Sequence, residues 1–307
     1  MTEADKAPPR KGIILAGGHG TRLHPLTKVI SKQLLPVYDK PMIFYPMSTL
    51  LLAGIRDIAI ISSPNALPSF RELLGDGSNW GIKLTYVEQA NPNGIAEAFL
   101  LCEDHIKGHK STLVLGDNIF FGNGFTSLLR EAGANADGAS IFSHRVSNPS
   151  DYCVVDVDDD HNPVRLVEKP KNPTSNLTVP GLYFYDERVL EIARSIKPSE
   201  RGELEITSVN QEYLRLKALK IINLFRGFAW FDAGTIDSLM DASDFVRQIE
   251  RRQGVKISCL EEIALQNGWI GTAEIRSSVA RLKDNAYSDY LNLLVSEAEN
   301  RANRRLS

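Results

Sequence analysis

Five short apolar runs, GIILAG, DIAIISS, IKLTYVEQ, STLVLGD and GASIFSHRV, recur up to about residue 146, and a helix-like stretch separates each from the next. The intervening stretches are PMIFYPMSTLLLAG, LPSFRELLGD, IAEAFLLCEDHIK and FTSLLREAGAN. Runs so rich in β-branched and apolar residues suit strands buried on both faces. Their alternation with helices predicts an α/β fold, a Rossmann-like, mostly parallel sheet flanked by helices.

The alternation then breaks. DYCVVDVDDDHNPVRLVEKP reads as two strands around the polar turn DDDHN, which predicts a β-hairpin insertion. VPGLYFYD resumes a core strand, ERVLEIARSI and GELEITSVNQEYLRLKA read as helices, and ALKIINLF and FAWFDAG are expected to close the sheet. From about residue 236 the pattern is helical, through SLMDASDFVRQIERRQG to DYLNLLVSEAENRANRRL. The expected organisation is a flexible tail over 1–10, an α/β core over 11–236 and a helical C-terminal extension over 237–307.

A chain of 307 residues with a formal charge of −3 can bury a sizeable core, and it lacks the net basic surface that nucleic-acid or anionic-membrane binding usually needs. Cys102, Cys153 and Cys259 are widely spaced and show no zinc or disulfide pattern. The polar start MTEADKAPPRK has no signal-peptide core, and no apolar run approaches the roughly 20 residues of a membrane helix. The expectation is a cytoplasmic protein that binds any anion at a local basic site.

That site has a candidate in GIILAGGHGTRLHPLTKVISKQLLPV. A dinucleotide fingerprint fails because Gly18-x-Gly20 is followed by Leu23 where a third glycine is needed, and no Walker A string occurs. What remains is a turn of Gly17, Gly18, His19 and Gly20 whose backbone N–H groups can face an anion, with Arg22 and Lys32 on the same connection. Arg22 offers a planar fork to phosphate and Lys32 a point charge. Asp117 and Asp232 each end an apolar run, where the strand ends of an open α/β sheet face the ligand crevice.

The string GGHGTRLHPLTKVISKQLLPVYDKPMIFYP closely resembles the sugar-1-phosphate nucleotidylyltransferase family, and within it the thymidylyl-transferring members. The likeness continues through EQANPNGIAEAF, LVLGDNIFFG, RLVEKPKNPTSN, VPGLYFYD, RGELEIT and GFAWFDAGT, covering nearly the whole chain after about residue 10. It implies transfer of a thymidylyl group from dTTP to glucose 1-phosphate by in-line attack, giving dTDP-glucose and pyrophosphate. A phosphate monoester with a second pKa near ~6 is already largely dianionic at neutral pH, so the nucleophile needs no general base. The enzyme's task is to overcome repulsion between polyanions.

By this resemblance Arg22, Lys32, Asp117 and Asp232 are catalytic, and Asp117 and Asp232 together hold Mg²⁺, which completes its octahedron with phosphates and water. The implied nucleotide site is Gly17, Gly18, Gly20, Thr21, Arg22, Lys32 and Gln33, with Gln89, Pro92 and Gly94 around the base. A glutamine amide such as that of Gln89 can serve the imide edge of thymine or uracil. The 5-methyl group that separates them is worth about 1–3 kcal/mol, so some UTP turnover is expected. The implied sugar-phosphate site is Tyr152, Cys153, Glu168, Lys169, Val179 and Arg201, with Lys169 on the phosphate and Glu168 on the hydroxyls. Members of this length form homotetramers with an effector site for a dTDP-sugar at a subunit interface.

Several positions depart from the family pattern. Cys153 replaces glycine, which leaves open a tolerated substitution or an altered hexose choice. Glu97 stands for glutamine, Ser208 for aspartate, Ala233 for threonine and His19 for a small polar residue; Glu97 adds negative charge near the nucleotide loop. Gln266 and Thr126 replace basic or histidine positions of the effector region, which implies weakened feedback by dTDP-rhamnose. Two other readings stay open: the same reaction on another hexose 1-phosphate, and a catalytically silent nucleotide-sugar sensor.

Overall fold

In this computed structural model, which describes residues 9–135 and 137–306, β1 (Lys11–Leu15) places the fully buried Ile13 and Ile14 on opposite faces of one sheet. A long loop and a hairpin of β2 (Pro36–Val37) and β3 (Lys40–Pro41) follow. Next, α1 (Phe44–Leu52) leads to β4 (Asp57–Ser62), and α2 (Leu67–Leu74) to β5 (Lys83–Glu88). The chain then passes through α3 (Glu97–Leu101) and α4 (Glu103–Ile106) into β6 (Ser111–Leu115).

After β7 (Asn118–Phe121), α5 (Phe125–Ala134) reaches β8 (Ala139–Arg145). The expected hairpin is β9 (Cys153–Val157) and β10 (Pro163–Glu168), paired antiparallel. Then come β11 (Leu177–Thr178), β12 (Leu182–Tyr185), α6 (Val189–Ser195), α7 (Ile206–Arg215), β13 (Leu219–Asn223) and β14 (Ala229–Asp232). Four helices end the chain: α8 (Ile236–Gln253), α9 (Leu260–Gln266), α10 (Thr272–Leu282) and α11 (Ala286–Leu306).

The main sheet runs β10-β9-β11-β8-β12-β6-β1-β4-β5, with β13 also on β8. β5, β4, β1 and β6 are parallel neighbours, and β12 is antiparallel to both β6 and β8. Alternate residues explain the continuous apolar runs. Ile14, Ile58, Ile60 and Val114 join one core with α1, α5 and α9, while Ile13, Ala59, Ile61 and Leu113 join the other with α3, α6 and α7. Each strand is therefore covered twice.

Two features differ from the sequence expectation. FAWFDAG does not close the main sheet; β14 pairs with β7 in a separate antiparallel ribbon, backed by a small core of Leu23, Val37, Ile119 and Ala233. The tail expected over 1–10 lies outside the described residues up to position 8, and Arg10 is anchored. Its guanidinium donates to the carbonyls of Ser111 at 2.7 Å, Tyr185 at 2.9 Å and Gly133 at 3.3 Å.

The sheet forks where β11 and β12 part. Val179 N–H donates to Cys153 O at 2.9 Å, toward the hairpin, while Gly181 O accepts from Leu115 N–H at 2.9 Å, at the end of β6. The fork opens at the carboxyl ends of the central strands, where open α/β sheets place their ligands.

Candidate active site

A cavity of about 210 Å³ fills this fork, lined by Arg22, Asp117, Tyr152, Cys153, Glu168, Lys169, Val179 and Asp232 among others. Eight residues selected from distant segments of the sequence thus converge. The ribbon explains the central pair, since the β7–β14 register sets Asp232 opposite Asn118, directly beside Asp117. Ala233 N–H donating to Asp117 O at 3.0 Å holds the turn against the strand end.

Lys32, on a short 3-10 turn, forms an ion pair with Asp117, and Asn118 Nδ2 donates to the other Asp117 oxygen at 3.0 Å. Burial pushes the Asp117 carboxyl up, but Lys32 and these hydrogen bonds outweigh it and hold it below the ordinary value. Asp232 goes the other way. Burial, then the neighbouring Asp117 charge, raise it to about 6 against the opposing pull of Lys32, Arg22 and Lys169. Two crowded carboxylates facing three cations are arranged to receive charge, positive at the acids and negative at the bases.

The Arg22 guanidinium lies against Gly234, where a Cβ would come within 2.6 Å of its Nη2 and 2.9 Å of Asp232 Oδ1. The loop carrying Arg22 is pinned by Leu23, which is fully buried, and by Thr27 Oγ1 donating to Gly20 O at 2.7 Å. Gly20 adopts φ 58°, a left-handed conformation that glycine takes without steric cost. A second cavity of about 430 Å³ is lined by Gly18, His19, Lys28 and Lys32 among others. Lys32 borders one cavity and pairs with Asp117 of the other.

The expected base-side residues form a group of their own. Gln89 is buried, with its side-chain oxygen facing Gly17, and its amide nitrogen donates to Glu97 Oε2 at 2.8 Å. Gly94 packs so tightly on the backbone of Leu204 that a Cβ would sit 2.5 Å from Leu204 N. Gln33 is buried and accepts from Ser31 Oγ at 2.7 Å. Thr21 and Pro92 are exposed and line neither cavity.

Arg201 also lies off the cavity lining. It donates to Glu205 Oε1 at 2.7 Å and stands 3.8 Å from Glu168. Lys169 takes φ 42°, an uncommon value for a residue with a side chain, and its N–H donates to Tyr152 O at 3.1 Å. Cys153 lies in β9 at negative φ, so its backbone makes no demand for glycine; its thiol is buried and pushed up to about 12 by desolvation.

Sequence reasoning missed the supports. Asn118 Oδ1 accepts from Gly181 N–H at 2.9 Å and from Trp230 Nε1 at 2.7 Å, so one side chain ties Asp117 to the fork and the ribbon. Thr207 Oγ1 donates to Glu168 Oε2 at 2.5 Å. Adjacency was the one signal for two of them: Asn118 follows Asp117, and Trp230 lies two residues before Asp232.

The chain matches the family model described as nucleotidyl transferase over residues 11–249. It belongs to the nucleotidyl transferase family. It is 54% identical to the glucose-1-phosphate thymidylyltransferase of Mycolicibacterium smegmatis over 281 residues, 92% of this chain and 97% of the relative. It is 49% identical to the Neisseria gonorrhoeae protein of the same name over 287 residues, 94% of this chain and all of that one (100%). Among solved structures, one assigned as a Bacillus anthracis glucose-1-phosphate thymidylyltransferase, in complex with a sucrose, is similar with TM-score 0.73. Its identity is 38%, over 78% of this chain and 95% of that one. A UDP-glucose pyrophosphorylase complexed with UDP-glucose is similar with TM-score 0.65 and 25% identity, over 79% of this chain and 100% of that one. The family resemblance and the α/β fold read from the sequence are both borne out.

This nucleotidyl transferase has a third cavity, of about 450 Å³, which shares no lining residue with the fork. Thr126 of α5 and Gln266 of α9, both singled out in the sequence, line it together with Lys256. Among the described residues that line it, Lys256 is the one basic side chain, and its ammonium is held by Asp39 and by Glu250 at 2.8 Å.

Proposed function

We propose that this enzyme transfers a thymidylyl group from dTTP to glucose 1-phosphate, forming dTDP-glucose and releasing pyrophosphate. The observation that carries the reading is the convergence of Arg22, Asp117, Glu168, Lys169 and Asp232 on one cavity, with Lys32 paired to Asp117. The names of the relatives that align over more than nine-tenths of this chain agree with it.

In this reading the loop from Gly17 to Arg22 wraps the triphosphate, and Lys169 and Arg201 hold the sugar phosphate. Glu168, fixed by Thr207, accepts hydrogen bonds from sugar hydroxyls beside Tyr152, Cys153 and Val179. A dianionic sugar phosphate attacks the α-phosphorus in line, and Arg22 and Lys32 neutralise the leaving pyrophosphate. Release of Lys32 from Asp117 toward the phosphates would leave the two aspartates as a pair of hard oxygen donors.

That donor set fits Mg²⁺, which takes one or two carboxylates and fills its other positions with phosphate oxygens and water. Asp117 and Asp232, which line the same cavity, would be its protein ligands. Bound there, the ion would supply charge neutralisation at the reacting phosphates.

Cys153 in the cavity wall supports a second reading of the sugar, another hexose 1-phosphate. Among the described residues no helix is long and apolar enough to cross a membrane. We place the enzyme in the cytoplasm as a homotetramer, feeding dTDP-rhamnose and polysaccharide synthesis, with the third cavity as a dTDP-sugar effector site. Pyrophosphate release with Mg²⁺, scored for dTTP and UTP against a panel of hexose 1-phosphates, tests the proposal. Fastest turnover of dTTP with glucose 1-phosphate supports it, and no release with any pair overturns it.

A further inference from the structure

Glu97 stands at the start of α3 with two amides on its carboxylate. Gln89 Nε2 donates to Oε2 at 2.8 Å and Asn93 Nδ2 donates to Oε1 at 2.7 Å. Gln89 follows β5, and its backbone N–H donates to Ser62 O at 2.8 Å. The residue is 5% exposed, and its side-chain carbonyl oxygen faces Gly17 of the phosphate loop.

We propose that Glu97 is a positioning residue that fixes which end of the Gln89 amide meets the nucleobase, so that the site selects a pyrimidine carrying a proton on N3. The argument is one of donors and acceptors. An amide offers an acceptor at one end and two donors at the other, and in most settings it can turn over. An ionised carboxylate only accepts. Turning the Gln89 amide by half a turn would set its oxygen against Glu97 Oε2, two acceptors in contact at a buried position. The nitrogen must therefore face Glu97, and the oxygen must face the loop.

Asn93 reinforces this arrangement. It occupies the second carboxylate oxygen, which keeps Glu97 from turning away from Gln89. A glutamine at position 97 would not impose the choice, since it can donate to Gln89 Oε1 as readily as it accepts from Nε2. The carboxylate thus spends its charge on two amides next to the loop.

The consequence for a base follows. Thymine and uracil carry a proton on N3 between two carbonyls, and Gln89 Oε1 can accept that proton. Cytosine carries a lone pair at N3, which would meet the same oxygen as a second acceptor. Such a mismatch costs the desolvation of both groups with no hydrogen bond in return. The device rejects cytosine and is blind to the 5-methyl group.

This inference rests on the proposed reading of Gln89 as the base-contacting residue. The test compares kcat and KM for dTTP and dCTP, with glucose 1-phosphate and Mg²⁺, in the wild type, Glu97→Gln and Glu97→Ala. Thermal unfolding of each variant is followed in parallel. The expected result is a fall of roughly tenfold in the dTTP:dCTP ratio of kcat/KM in both variants, arising in KM rather than kcat. Equal losses for both nucleotides, as a structural role would give, overturn the inference, and so does an unchanged ratio. If the wild type fails to use dTTP at all, the reading of the enzyme fails and the inference falls with it. If dTTP turns over and the ratio stays fixed, the inference alone fails.

Discussion

Trp230 donates its indole N–H to Asn118 Oδ1 at 2.7 Å, and Asn118 donates in turn to Asp117 at 3.0 Å. The indole ring also packs edge-on against Tyr152, with centroids 5.0 Å apart. One tryptophan therefore sets both a carboxylate and an aromatic wall of the cavity. In Trp230→Phe the ring contact is kept and the N–H is lost. We expect kcat to fall about tenfold, the loss that a small misplacement of a reacting group brings, with KM for glucose 1-phosphate nearly unchanged. Steady-state kinetics check this, and full kcat in the variant would show that Asp117 needs no such support.

Lys169 is held at φ 42°, where a side chain costs of order 1 kcal/mol that glycine avoids. Lys169→Gly and Lys169→Ala both remove the ammonium, so each should lose about 100-fold or more in kcat/KM. They should differ in stability. The glycine variant is expected to exceed the alanine variant by about 1 kcal/mol in urea unfolding. Equal stabilities would mean that this backbone is not strained.

Asp232 is raised to about 6 by burial and by Asp117, so the metal-free protein carries two carboxylates that resist ionising together. Asp232→Asn removes that conflict. At pH 8 with a chelator the variant is expected to melt above the wild type. With millimolar Mg²⁺ the order should reverse, because a cation bound only by the wild type stabilises it by mass action. Calorimetry under the two conditions reads both signs, and a variant that gains equally from Mg²⁺ would remove Asp232 from the metal site.

The alternating core was legible because strands covered on both faces leave near-continuous apolar runs, as Ile13–Ile14 and Ile58–Ile61 do. The place of FAWFDAG was not. Its four-residue strand has no pattern that chooses β7 over the main sheet, and the register of Asp232 with Asn118 is set by packing around Leu23 and Ile119. Resemblance, not spacing, joined the two aspartates. Glu97 looked like excess charge because its partners, Gln89 and Asn93, meet only once the loop is folded. Arg201 was read toward the sugar phosphate, and its pairing with Glu205, one turn along in the sequence, was not visible until the chain was folded.

Asp186, at the end of β12, accepts from Gly138 N–H at 2.7 Å, Tyr213 OH at 2.7 Å and Arg188 Nε at 2.8 Å. Burial raises its carboxyl, but the Arg188 and Tyr213 hydrogen bonds prevail and hold it below its ordinary 3.8. A depressed carboxylate adds stability above its unfolded pKa, and that stability is lost as pH falls through the folded value. Stability should therefore drop as pH falls below about 4. Asp186→Asn should flatten part of that slope and cost about 1–3 kcal/mol at pH 7. Urea titrations across pH 3 to 7 check this, and an unchanged slope would shift the acid sensitivity to other carboxylates.

Feedback control should be weak, on electrostatic grounds. A dTDP-sugar brings a diphosphate, and the third cavity offers it Lys256, already engaged by Asp39 and Glu250, together with the neutral Thr126 and Gln266. Gln266 itself donates to Glu262 at 3.0 Å, so the wall carries negative charge as well. Burial raises the Glu262 carboxyl above its ordinary value, against the Tyr290 hydrogen bond that lowers it. Restoring charge should restore response. In Gln266→Arg combined with Thr126→His, the dTDP-rhamnose concentration for half inhibition is expected to fall at least about tenfold, the worth of one charge-assisted contact. Inhibition assays at fixed dTTP decide the matter. Strong inhibition of the unaltered enzyme would mean that the diphosphate finds its cations elsewhere, on a neighbouring subunit.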